Sequence, residues 1–75
     1  MDKEYSLFLS LNGEIIVKNN ESLSIWLVDK FGIAQAFAND KELFEMILFP
    51  IDKVPKGKTW KRHRQTIKKL LTEQS

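Results

Sequence analysis

The stretch from Tyr5 to Lys18 constrains the fold more than any other part of the chain. Tyr5, Leu7, Leu9 and Leu11 alternate with Ser6, Phe8 and Ser10. This period of two marks a strand, whose successive side chains leave opposite faces. Asn12-Gly13 follows at once, and Glu14 to Lys18, EIIVK, is strand-like again. Because a type I′ turn needs positive φ at both central residues, the Asn-Gly pair predicts a two-residue β-hairpin. The polar cluster Lys18-Asn19-Asn20-Glu21-Ser22 then predicts a second reversal.

Two periodicities compete between Ser22 and Ala38. Read as strands, Leu23, Ile25 and Leu27 share a face, Asp29 to Gly32 forms a turn, and Ile33 to Ala38 returns, which completes a four-stranded antiparallel meander. In that reading Leu7, Leu9, Leu11, Ile15, Val17, Leu23, Ile25 and Leu27 point inward, and Phe8, Ile16, Trp26 and Val28 form the opposite face. Read as helices, Leu23, Trp26, Leu27 and Phe31 have helical spacing and Gly32 separates two helices, so the alternative is a β-hairpin plus helix-turn-helix. The helical reading places Asn39-Asp40 inside a helix, where their side chains compete for backbone hydrogen bonds. It also puts Asp40, Glu42 and Glu45 on the reading surface, where they would repel phosphate. The meander is the preferred expectation.

Asn39 with Glu42 has the spacing of a capping box, and Leu43, Phe44, Ile47 and Leu48 follow as an apolar stripe. These residues predict an acidic helix of about ten residues, ended by Pro50. Residues 50–58 form a connector with two prolines and a glycine. The expected fold is therefore α+β in a single domain: a four-stranded meander, a short acidic helix and a basic C-terminal helix.

That last helix departs furthest from a generic small domain. Residues 1–55 carry five Lys/Arg against nine Asp/Glu, and residues 56–75 carry seven against one. The net charge of +2 hides a strongly dipolar molecule. At the helical repeat Trp60, Ile67, Leu70 and Leu71 fall on one stripe with His63 inside it, while Lys61, Arg62, Lys68 and Lys69 fall opposite and Arg64 flanks the boundary. Thr59 is the expected N-cap.

Several chemistries have no support in the sequence. The chain contains no cysteine, so disulfides, thiolate metal sites and a cysteine nucleophile are absent. His63 is the only histidine, without a visible nucleophile or orienting partner, and its expected place is the edge of the apolar stripe or near a phosphate. The three glycines, Gly13, Gly32 and Gly57, stand alone, so no phosphate loop is expected. Neither enzymatic activity, nor a cofactor, nor a metal site is expected. Apolar runs reach only four residues and the first residues are charged, so no membrane partner or secretory signal is expected and the chain reads as cytoplasmic.

The expected function is that of a small regulatory protein that binds nucleic acid, DNA rather than RNA. Seven cations within fourteen residues, Lys56, Lys58, Lys61, Arg62, Arg64, Lys68 and Lys69, would hold phosphates, with Trp60 anchoring the helix. The alternative is a protein-protein interaction module, an inhibitor or adaptor that meets an acidic partner or uses Phe8, Trp26 and Trp60 as an interface. At 75 residues the core is small enough that a homo-oligomer is a third expectation.

Overall fold

The computed structural model describes residues 4–36, 43 and 45–73. Five strands, β1 (Tyr5–Ser10), β2 (Ile15–Asn19), β3 (Ile25–Val28), β4 (Ala34–Ala36) and β5 (Leu48–Ile51), form one sheet in the order β4-β3-β2-β1-β5, antiparallel throughout. A 3₁₀ turn, Lys58–Trp60, leads into the helix α1, Lys61–Glu73. The fold class is α+β. The four-stranded meander is present and the helix-turn-helix is not, since Ile25–Val28 and Ala34–Ala36 pair as strands.

The first hairpin is not the type I′ turn that Asn12-Gly13 predicts. Gly13 has φ +79°, but Asn12 does not share a positive φ, and the Ser10 carbonyl accepts from Gly13 N–H at 3.3 Å while Ser10 N–H donates to the Glu14 carbonyl at 2.9 Å. This is a three-residue loop, a tight turn closed by a left-handed glycine. The β3–β4 loop repeats it. Gly32 N–H donates to the Asp29 carbonyl at 2.9 Å, Asp29 N–H donates to the Ile33 carbonyl at 3.0 Å, and Gly32 has φ +83°. In each loop the first side chain accepts two amides, Ser10 Oγ from Asn12 and Glu14, and Asp29 Oδ1 from Phe31 and Ile33. Short side-chain acceptors of this kind stabilise turns by satisfying amides that no ladder reaches.

The expected acidic helix is corrected in its second half. Residues 37–42 and 44 lie outside the described residues, but Leu48, expected in the helical stripe, begins β5, and Pro50 sits within that strand rather than after a helix. Ser10 bonds β2, so in an antiparallel ladder Leu7 and Leu9 turn their amides to β5, and the Leu9–Phe49 and Leu7–Ile51 pairs are the hydrogen-bonded ones. The ring nitrogen of Pro50 therefore faces outward. An edge strand is the place in a sheet that tolerates a missing donor.

The assignment of faces is corrected as well. Val17 lies opposite Trp26 and Ile15 opposite Val28, so Trp26 and Val28 share a face with Leu7 and Leu9, whereas Ile25 and Leu27 share the other with Phe8 and Ile16. The cause is the β2–β3 loop, where Asn19 N–H donates to the Ser24 carbonyl and Leu23 adopts φ +63° outside the strand. Counting Leu23 into the strand makes Leu23, Ile25 and Leu27 one apolar row, whereas the register that sets Val17 opposite Trp26 puts the other parity of β3 on the face of Val17.

α1 packs on the face that carries Ile15, Val17 and Val28, and adds Ile67 and Leu70 to that core; Tyr5, Leu7, Leu9, Trp26, Val54, Trp60 and Leu71 pack around it. The loop at Gly32 supports the helix from the side. Thr66 Oγ1 donates to the Gly32 carbonyl, and a Cβ at Gly32 would come within 2.7 Å of the Arg62 Cβ. On the opposite face Ile16 and Ile25 are buried.

Candidate nucleic-acid interface

Burial of His63, Ile67 and Leu70 against the sheet fixes the rotation of α1. Lys61, Arg62, Lys68 and Lys69 are then exposed on the outer surface together with the neutral Gln65 and Thr72. At 1.5 Å per residue the helix is roughly 20 Å long. Lys58 extends the cationic surface past its N-terminus, and Lys56 flanks it from the connector. Among the described residues none of these cations is within ion-pair distance of an acid, and the first turn of α1 contains no acidic side chain. Positive charge at a helix N-terminus opposes the macrodipole by about 0.3–1 kcal/mol per group. The sequence therefore keeps cations where helix stability alone would favour acids.

Thr59 does not act as the N-cap. It lies in the 3₁₀ turn, and the Gly57 carbonyl accepts from Trp60 N–H at 3.3 Å, with Gly57 at φ 125° where the chain enters the turn. Arg64 is half-buried, and its Nη1 donates to the Pro55 carbonyl at 2.9 Å, tying the connector to the helix.

The seven cations named from the sequence divide into two settings. Lys61, Arg62, Lys68 and Lys69 with Lys58 form the outer surface. Lys56, Arg64 and Lys68 also border a groove of about 560 Å³ between the connector and α1, where Lys53 joins them and Val54, Ile67 and Leu71 supply the floor. Lys53 and Val54 escaped the sequence reading because they precede the cationic run and belong to no periodic element.

Phe8, Trp26 and Trp60 do not form one surface. Phe8 lies on the face away from α1, whereas Trp26 and Trp60 are half-buried around the core on the helix side. His63 is 1% exposed, so it lines the core and meets no phosphate. Its ring stands edge-to-face on Trp60 at 4.9 Å, and neither of its nitrogens, nor Trp26 Nε1, finds a hydrogen-bond partner among the described residues. The most exposed large apolar side chains are Leu11, Leu23, Phe31, Ile33, Ile47 and Phe49, all in or beside loops except Phe49. Among the described residues no cluster of His, Cys, Asp or Glu is placed to hold a metal ion, and no helix is long and apolar enough to cross a membrane. No protein-family model, no curated protein and no solved structure matches this chain.

Proposed function

We propose that the protein is a small non-enzymatic regulator that binds duplex DNA along the outer face of α1. The observation that supports this reading is the cationic surface of Lys58, Lys61, Arg62, Lys68 and Lys69, without a bonded acid among the described residues and raised on a helix that the sheet holds from behind. A single helix of this diameter fits the major groove of B-form DNA, and Lys and Arg on its outer face then reach phosphates on either side. Duplex is favoured over single strands because a stacking platform needs exposed aromatic rings beside the cations. Here Trp26 and Trp60 are drawn toward the core, Phe8 lies on the other face, and Phe31, exposed in the loop whose Gly32 approaches Arg62, is a single ring rather than a row of them.

Fluorescence anisotropy of labelled duplex DNA, single-stranded DNA and RNA across several salt concentrations tests the proposal. Neutralisation of four or five phosphates gives a slope of roughly −4 in log affinity against log salt. Alanine at Lys61, Arg62, Lys68 and Lys69 together removes the binding and leaves the fold intact. Absence of duplex binding even at low salt would sink the reading.

A further inference from the structure

The groove beside α1 has a different chemistry from the helix's outer face. Val54, Ile67 and Leu71 make an aliphatic floor, with Lys53 and Lys56 on the connector bank and Arg64 and Lys68 on the helix bank. No acidic side chain lines it among the described residues. The bond from Arg64 to the Pro55 carbonyl holds the two banks together, so the groove is formed before anything enters it. We propose that it docks an acidic amphipathic helix of a partner protein, with the partner's aliphatic side chains on the floor and its carboxylates on the rim.

Both the chemistry and the shape of the groove favour this occupant. Phosphodiester strands would satisfy the four cations but offer nothing comparable to bury the aliphatic floor. A small molecule needs a cleft that closes over most of its surface, and this groove of about 560 Å³ stands open to solvent between its banks. Leu71 on α1 and Val54 on the connector are only half-buried, so both offer aliphatic surface to an occupant, while Ile67 closes the base of the groove from the core. An extended peptide would instead require a free strand edge, and residues 52–57 on the connector bank form no strand. Charge complementarity then selects acids over bases in the partner, through rim contacts that favour association and orientation. The inference does not depend on DNA binding by the outer face, although Lys68 belongs to both surfaces.

A synthetic helical peptide of about 18 residues, with leucines at i, i+3, i+4 and i+7 and glutamates between them, serves as the probe. Titration into methyl-labelled protein is expected to move the Val54, Ile67 and Leu71 methyl signals first. Val54→Ser is expected to weaken binding about tenfold through loss of floor contact. Lys53→Glu with Lys56→Glu, two exposed positions that leave the core untouched, is expected to do the same, which keeps the test valid should the serine variant unfold. The same peptide with its leucines changed to serine is expected not to bind. Equal binding by that serine peptide, shifts confined to other surfaces, or no binding at about 1 mM peptide would overturn the proposal. So would a dimer that Val54→Ser dissociates, since a second copy would then occupy the groove. Duplex DNA measured on the same samples separates the two readings. Peptide binding without duplex binding leaves the docking site standing, and duplex binding without peptide binding overturns the docking site alone.

Discussion

At Gly32 two constraints meet, a left-handed backbone and the approach of α1, whereas at its counterpart Gly13 only the first applies. Gly13→Ala is expected to cost about 1 kcal/mol, the penalty of placing a Cβ at positive φ. Gly32→Ala adds displacement of the Arg62 backbone and is expected to cost about 2–3 kcal/mol, read as a larger drop in the urea midpoint at unchanged slope. Equal midpoints for the two variants would mean that the Gly32 loop does not bear on the helix. His63 is the second residue at which a single atom set decides the outcome. Burying an imidazole whose nitrogens find no partner among the described residues costs more than burying a hydrocarbon of similar size, so His63→Leu is expected to stabilise by about 1 kcal/mol. For a domain of this size that is a rise in Tm of roughly 4–8 °C. A fall in Tm would show that the imidazole's polar atoms are satisfied in solution.

Within α1 the residues serving the proposed contact and those serving helix stability conflict. Lys61→Glu with Arg62→Glu complements the macrodipole at the N-terminus, and is expected to stabilise by about 0.5–1 kcal/mol. The same change replaces two phosphate contacts with two repulsions and is expected to weaken duplex binding at least about tenfold. Thermal unfolding and anisotropy on one preparation check both halves, and loss of stability together with affinity would contradict the argument. The helix was the most legible element, because its stripe of Trp60, Ile67, Leu70 and Leu71, with His63 inside it, runs over about three turns. The meander was legible from alternation and turn chemistry. Its register was not, because Leu23 reads as an inward strand residue until its left-handed conformation removes it from the ladder. β5 was hidden for another reason: Leu48 continues a helical spacing, and only pairing with the otherwise open side of β1 makes Leu48–Ile51 extended. The cations of the outer face could be named from the sequence, but the groove could not, since its connector bank is positioned by tertiary contacts such as that between Arg64 and Pro55.

Across the whole molecule, charge is segregated along the chain, with a net of −4 before residue 56 and +6 from residue 56 onward. A field of this kind orients the protein toward a polyanion before contact, and its reach shrinks as salt shortens the Debye length. The sheet, for its part, ends in β4 on one side and in β5 on the other. At β5 the outward ring nitrogen of Pro50 leaves a gap in the row of donors that another strand would need. Indefinite stacking requires an accepting border at both ends of every unit, and this sheet has one border blunted in that way. Edge-to-edge growth between copies thus stops once two β4 borders have met, so the blunted β5 border opposes fibre formation.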